Sequence, residues 1–266
     1  MTKVRISDDA LAVACGADEV AAAFEAAGCI VERVSSYGMH WLEPLADLDG
    51  IGFGPITIAD VADILAGTSS KVVGRISEHP FIARQQRLTF ARAGRTRPLS
   101  LEDYAASGGW AGLSRARSML PADVVAEVIG SGLRGRGGAG FPAGIKWRTV
   151  LEAQGTTKYI VCNADEGDSG TFADRMLMEG DPFQLVEGMA IAAHATGASE
   201  GFIYVRSEYP HAIAKLKAAI GLSSEIVAPF RLEVREGAGA YVCGEETSLL
   251  NSLEGKRGEV RAKPPL

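Results

Sequence analysis

Apolar positions keep no single spacing along this chain. Near the N-terminus they alternate. Val4-Arg5-Ile6 and Cys29-Ile30-Val31-Glu32-Arg33-Val34 read as short strands, and Met39-His40-Trp41-Leu42-Glu43-Pro44-Leu45 reads as a third. Between the first two, Asp18 to Ala27 is an alanine-rich helix stopped by Gly28. Gly54-Pro55 makes a turn, and Thr57 caps a closing helix from Ile58 to Leu65 before Gly67. The pattern then weakens until Pro121. A helix runs from Pro121 to Ser131, with proline at its first position and Gly132 just past its end. Lys158 to Asn163 is an apolar strand, and Pro182 opens a helix to about Thr196 that is apolar nearly all round and therefore buried. Gly201 to Arg206 is a strand, Tyr209 to Ile220 a helix, Arg231 to Arg235 a strand, and Glu245 to Leu253 a helix ended by Gly255.

Strands that alternate with helices predict an α/β fold with a mostly parallel sheet, and in such sheets ligands sit beyond the C-terminal ends of the strands. The short strands and helix of residues 1–66 suit a thioredoxin-like arrangement. Residues 67–118 read as a connecting segment, and residues 119–266 as a second α/β domain.

The chain has 266 residues and a net charge of −6, which argues against nucleic acid as the main partner, and it shows no basic tract. No apolar run is long enough to span a membrane, and the N-terminus lacks the layout of a signal peptide, so a cytoplasmic protein without membrane insertion is expected. The cysteines, Cys15, Cys29, Cys162 and Cys243, form no C-x-x-C pair, and the spacing from Cys15 to Cys29 is wrong for a redox pair. His40, His79, His194 and His211 show no metal-ligand spacing. No metal site is expected in this chain. The connecting segment is rich in arginine: Arg75, Arg84, Arg87, Arg92, Arg95, Arg97, Arg115 and Arg117. A solvated surface explains that, and docking onto an acidic partner is the sharper reading.

Chemistry concentrates in three stretches. From Gly132 to Gly144, six glycines stand in thirteen residues, among Arg134, Arg136 and Phe141, with Lys146 just beyond. Glycine is costly to order, so such a run suits bare backbone N–H groups close to a ligand, with cations beside them for a phosphate. Gly135, Gly137 and Gly140 also fit G-x-G-x-x-G, but a helix precedes them where a dinucleotide fingerprint needs a strand, which excludes the ordinary Rossmann reading. The other two stretches follow strands: Asn163-Ala164-Asp165-Glu166-Gly167-Asp168, and Tyr241-Val242-Cys243-Gly244-Glu245-Glu246-Thr247 after the glycines of 237–240. Acids at a helix start complement its dipole, which accounts for Glu245 and Glu246. It accounts less well for Asp165 and Glu166, since no long helix follows at once. Asn163, Asp165 and Glu166 suit ribityl hydroxyls or ring N–H groups. Together the residues point to a pocket for a phosphate-bearing cofactor.

These motifs, with Lys146-Trp147, Asn251-Ser252-Leu253-Glu254-Gly255 and Lys263-Pro264-Pro265, occur in one order from about residue 100 to the end. In that order they closely resemble the family of FMN- and NADH-binding subunits of respiratory complex I. Soluble relatives are the beta subunit of NAD-dependent formate dehydrogenase and the diaphorase subunit of NAD-reducing hydrogenase. The N-terminal unit followed by Gln86-Arg87-Leu88-Thr89-Phe90-Ala91-Arg92 looks most like the beta subunit of formate dehydrogenase. The resemblance implies FMN against Gly135, Arg136, Gly137, Gly138, Ala139 and Gly140, with Lys146, Asn163, Asp165, Glu166, Tyr241, Gly244, Glu245 and Glu246 around it. It implies NADH contacts at Phe141, Lys146, Asp168, Glu246 and Lys263, and no protein acid or base for hydride transfer. Partners implied are a gamma-type subunit with a 2Fe–2S cluster and a molybdenum-containing formate-oxidising alpha subunit.

The chain departs from the family in places. Arg148 and Leu266 stand where some relatives have aromatic contacts for adenine, and Asp168 replaces a glutamate. The N-terminal domain lacks the cluster cysteines of relatives, so the expected role is docking. Relatives continue into a helical bundle with the cysteines of a 4Fe–4S cluster. The expectation is of a truncated chain, with a non-catalytic interaction fragment as the rival reading.

Overall fold

The computed structural model of the chain describes residues 1–168 and 170–262. The chain divides into two compact units. One holds Met1–Asp103 together with Met176–Asp181; the other holds Tyr104–Arg175 and the chain from Pro182 onward.

In the first unit, strand β1 (Lys3–Ser7) leads through helices α1 (Ala10–Ala14) and α2 (Ala17–Ala26) to β2 (Ile30–Val34). Strands β3 (Ala46–Leu48) and β4 (Ile51–Phe53), helix α3 (Val61–Ala66), strand β5 (Val72–Arg75) and helix α4 (Pro80–Ala83) follow. Among the described residues they build a five-stranded sheet in the order β2-β1-β3-β4-β5. β1 and β2 are parallel and the other pairs antiparallel. The alternation of β1 turns Val4 and Ile6 inward against Phe24, Ile56 and Ile64. Asp9 caps α1 by accepting the Ala12 N–H at 2.8 Å. Thr57 and Asp60 form the capping box that leads into α3.

Three details of this unit depart from the sequence reading. The strand expected over Met39–Leu45 is absent: His40–Leu42 is a 3-10 turn, and pairing starts at Ala46. Pro44 has no N–H to give a ladder, and the Glu43 carboxylate accepts the Leu45 N–H at 3.0 Å and the Ser36 hydroxyl at 3.1 Å, which holds a turn. The apolar side chains there, Met39 and Leu45, are buried with Ile76 rather than along a strand. A β3–β4 hairpin forms at Asp49-Gly50, where both residues have positive φ and the Asp47 side chain accepts the Gly50 N–H. Val72–Arg75, read as connection, pairs with β4.

In the second unit, helices α5 (Leu101–Ala106, which begins just before Tyr104), α6 (Ala111–Arg117), α7 (Pro121–Gly130) and α8 (Ala143–Glu152) precede β6 (Tyr159–Ala164). Then come α9 (Ala173–Gly180, whose residues from Met176 on belong to the first unit), α10 (Pro182–Thr196), β7 (Glu200–Arg206), α11 (Pro210–Val227), β8 (Arg231–Gly237) and α12 (Glu246–Leu253). The sheet runs β6-β7-β8, and both pairings are parallel, as expected of alternating strands and helices. α10 is buried on nearly every side, at Phe183, Val186, Met189, Ala190 and Ala193 among others. Its one inward acid, Glu187, accepts the backbone N–H groups of Trp110 and Leu113, both at 2.9 Å, and the Tyr104 hydroxyl. A buried carboxylate is tolerable only when paired in this way, and here it serves as the cap of α6.

Candidate functional site

In register, Ala164 of β6 lies beside Val205, and Arg206 of β7 beside Gly237 of β8, so all three strands end at one edge. That edge is where a parallel sheet offers backbone and side chains to a ligand. The three sequence-predicted clusters lie on the loops that leave it and on the loop that enters α8.

The glycine loop is a small hairpin. Arg134 bridges to Pro142, the Gly135 N–H donates to the Phe141 carbonyl at 2.9 Å, and the Gly140 N–H donates to the Gly137 carbonyl at 3.0 Å. The Arg134 guanidinium closes it from outside by donating to the Gly140 carbonyl at 2.8 Å. Its tip is left over: among the described residues, the N–H groups of Arg136, Gly137, Gly138 and Ala139 make no hydrogen bond. A side chain added at Gly137 or Gly138 would meet no protein atom within 4 Å. These glycines therefore serve no packing within the chain. Consecutive free N–H groups beside an exposed guanidinium form a concavity suited to anionic oxygens. Gly144 is different in kind: a Cβ there would come 2.5 Å from Ile129, so this glycine lets α8 approach α7.

The loop after β6 contains a buried acid and a tethered one. Asp165 is 2% exposed, and burial raises its pKa, while the Arg206 charge acts the other way. Glu166 has φ of 43°, the left-handed region uncommon outside glycine. Its carboxylate accepts the backbone N–H groups of Asp174 and Arg175 at the start of α9 and the Tyr209 hydroxyl at 3.0 Å, and the Arg206 guanidinium donates to its carbonyl at 3.0 Å. Burial raises the Glu166 pKa as well. As expected, no helix follows at once: α9 starts at Ala173, and Glu166 caps it from seven residues upstream.

The loop after β8 meets the first two. Asn163 donates from Nδ2 to the Gly244 carbonyl at 2.8 Å, and the Tyr241 hydroxyl donates to Asp168 at 2.9 Å. Glu245 caps α12, accepting the N–H groups of Thr247 and Ser248, both at 2.9 Å. That leaves Glu246 to face Lys146, whose Nζ lies 3.8 Å from Glu246 Oε2 and 5.6 Å from the centre of the Phe141 ring. Tyr241, at 70% exposure, presents its ring to solvent. Lys263 and Leu266 lie outside the described residues, as does the Lys263-Pro264-Pro265 motif.

Sequence reasoning missed Arg206, Glu208 and Tyr209. Arg206 also binds Glu208 at 2.6 Å and lies 5.5 Å from the Tyr209 ring, so it ties the end of the central strand to the loop after β6. The available signal was position: Arg206 is the last residue of the middle parallel strand.

The hairpin tip supplies N–H donors and Arg136 a cation. The opposite loops supply acceptors at Asn163 and Asp165, and Lys146 with Phe141 supplies a cation against an aromatic face. A flat, polar-rimmed molecule with a phosphate suits such a set, and FMN is one. Among the described residues, no group of His, Cys, Asp or Glu is arranged to hold a metal ion, and no helix is long and apolar enough to cross a membrane.

Comparison with known proteins places the chain among relatives. The sequence model of the Nuo51 FMN-binding domain matches residues 128–266. The chain is 50% identical over 192 residues to the HndC component of the NADP-reducing hydrogenase of Solidesulfovibrio fructosivorans, covering 68% of this chain and 39% of that one. It is 47% identical over 184 residues to an NADH-quinone oxidoreductase subunit of Aquifex aeolicus, covering 65% of this chain and 43% of that one. A crystal structure of an NAD+-reducing nickel–iron hydrogenase in the air-oxidised state superposes with a TM-score of 0.57 at 29% identity, covering 99% of this chain and 47% of that one. The chain thus spans about two fifths of the length of these curated relatives, at 39% and 43%.

Proposed function

This chain belongs to the family of the Nuo51 FMN-binding domain, and on that premise we propose that it holds FMN and takes part in hydride transfer between NAD(H) and the flavin. The observation that carries the reading is the run of four N–H groups at Arg136–Ala139 that make no hydrogen bond among the described residues, on a hairpin tip where a Cβ at Gly137 or Gly138 would meet nothing within 4 Å. The reading gives the cofactor role to residues 119–266. Gly135–Gly140 would hold FMN together with Lys146, Asn163, Asp165, Tyr241 and Gly244. Phe141, Lys146, Asp168, Glu246 and Lys263 would face the nicotinamide nucleotide.

When bound, FMN supplies the two-electron acceptor or donor and the route onward in single electrons. The chain supplies orientation and field. Asn163 fixes the Gly244 carbonyl, so the loops after β6 and β8 keep one spacing. Lys146, shared between Glu246 and Phe141, places one cation at the rim without full neutralisation. Buried Asp165 keeps negative potential under the site, which disfavours added electrons nearby. Glu166 acts through position, since its carboxylate is occupied by α9 and Tyr209.

The finer assignment is the beta subunit of an NAD-dependent formate dehydrogenase, working in the cytoplasm with an iron–sulfur gamma-type subunit and a molybdenum-containing alpha subunit. It is supported by the motif around Gln86–Arg92 joined to an N-terminal unit that we read as thioredoxin-like. That unit's parallel β1–β2 pair, followed by antiparallel β3 and β4, supports the reading. The free thiols of Cys15, Cys29, Cys162 and Cys243 suit a reducing compartment. A second reading, the diaphorase subunit of a hydrogenase, is favoured by the likeness to the NAD+-reducing hydrogenase over 99% of this chain.

The test is an FMN titration of the purified chain followed by anaerobic NADH addition, with the flavin absorbance as readout. Binding and bleaching are expected. A folded chain that takes up no flavin would sink the reading in favour of an interaction fragment. Co-purification separates the finer assignments: a molybdenum-containing formate-oxidising partner is expected, and recovery with a nickel–iron hydrogenase would replace it.

A further inference from the structure

The strongest charge asymmetry in the chain lies outside the flavin site. From Lys71 to Arg97 the sequence carries Lys71, Arg75, Arg84, Arg87, Arg92, Arg95 and Arg97 against one acid, Glu78, in a protein whose net charge is −6. Some of these cations are answered within the chain. Arg92 pairs with Asp181 at 2.7 Å and Arg97 with Asp103 at 2.8 Å. Arg75 has a loose contact with Glu78 at 3.9 Å. Arg84, Arg87 and Arg95 have no carboxylate within ion-pair distance among the described residues. Arg87 donates only to neutral groups, the Tyr37 carbonyl at 2.9 Å and the Gln85 side chain at 3.0 Å.

Exposed rings stand beside one of these guanidinium groups and next to the others in the chain. Trp41, at 55% exposure, meets Phe81 edge to face at 5.0 Å, and the Arg87 guanidinium stands 6.0 Å from the Phe81 ring centre. Arg84 ends the short helix that carries Phe81, and Leu88, beside Arg87, is 89% exposed. Arg95 is near enough to Arg87 to oppose its charge. Aromatic and arginine side chains clustered without their own acids are the composition of an interface centre, not of an ordinary solvated face. None of these residues belongs to the set assigned above to the flavin or the nucleotide.

We propose that Trp41, Phe81 and Leu88, together with Arg87 beside Phe81 and with Arg84 and Arg95, dock an acidic polypeptide segment of a partner subunit. The occupant follows from charge complementarity: three unanswered guanidiniums need carboxylates, and the exposed rings beside Arg87 need an apolar side chain to cover them. A protein carrying −6 overall repels nucleic acid, so the polyanion that suits this patch is a local run of Asp and Glu with an apolar residue among them. The inference stands apart from the flavin reading, because it uses none of the same residues.

The test places the photo-crosslinking residue benzoylphenylalanine at Phe81 in the full chain, within its native complex, with the same residue at exposed Leu222 as control. The expected product at position 81 is a partner peptide in which Asp and Glu outnumber Lys and Arg. The double variant R84E/R95E should reduce its yield about tenfold or more, and the control position should not capture it. No product at position 81, a product with a second copy of this chain or with nucleic acid, a captured peptide that is not acidic, or a yield insensitive to R84E/R95E would each overturn the proposal. Both arginines are exposed, and the far-ultraviolet dichroism of R84E/R95E shows whether folding is intact. Should that double variant misfold, R84Q read against the salt dependence of the yield replaces it.

Discussion

Asn163 and Gly244 are eighty-one residues apart in sequence, yet the Asn163 amide donates to the Gly244 carbonyl at 2.8 Å. The bond joins the end of β6 to the turn that follows β8, the two outer strands of the sheet. Replacing Asn163 by Leu removes the donor without touching the core. FMN affinity should fall about tenfold, the effect of losing roughly 1.4 kcal/mol, while the thermal midpoint stays nearly constant. An unchanged flavin fluorescence titration would remove Asn163 from the site.

Two glycines should respond in opposite ways. Gly138 meets nothing at its Cβ position, so Gly138→Val should leave the melting temperature alone and weaken FMN binding by about tenfold or more, since its side chain would cover free N–H groups. Gly144 touches Ile129, backbone included, and Gly144→Ala should cost about 1–3 kcal/mol of stability by forcing α7 and α8 apart. Parallel melting curves and titrations check the pair. Equal loss of stability in both variants contradicts the assignment.

Glu166 predicts a stability effect at what sequence alone reads as a ligand position. Glu166→Ala removes the cap of α9 and the acceptor of Tyr209, at a cost of about 1 kcal/mol or somewhat more. Glu166→Gln keeps an acceptor oxygen and should lose less. Differential scanning calorimetry of the two variants decides, and a Gln variant as weak as the Ala variant contradicts the capping role.

Glu43 gives a pH signature. Burial pushes its pKa up to about 7 from 4.5, with the nearby Asp9 charge adding to the rise. Between those two values the folded chain binds more protons than the unfolded one, so stability falls as pH rises through this window and levels off above it. The full effect is roughly 3 kcal/mol at most. Asp165, Glu166 and Asp174 are raised by burial too and act in the same direction. Glu43→Gln should therefore flatten the slope in part. Urea unfolding at several pH values tests it, and an identical slope in the variant rules Glu43 out as a source.

Much of this was legible in sequence where one physical cause set the pattern. The helix from Pro182 to Thr196 was legible because proline fixes its start, its residues are apolar on nearly every side, and Gly197, with φ of 78°, stops it. The parallel sheet follows from strands that alternate with helices. Legibility failed where tertiary contacts decided. Met39 and Leu45 have strand-like spacing, yet Glu43 and Pro44 make the segment a turn. The cap supplied by Glu166 was hidden because its donors, Asp174 and Arg175, come eight and nine residues later, beyond any local capping pattern. Arg206 carried no local signal beyond its place at the end of a strand.

The segment Met176–Asp181 belongs to the first unit although the residues on both sides of it belong to the second. Within that unit Glu179 accepts the Ala10 N–H at 2.8 Å and Asp181 answers Arg92. An N-terminal piece cut after Asp103 would keep every strand of its sheet and lose both of these partners. Residues 1–103 therefore do not make a self-sufficient body: the hydrogen bonding of the first unit is completed by a segment the chain reaches only after it has begun the second.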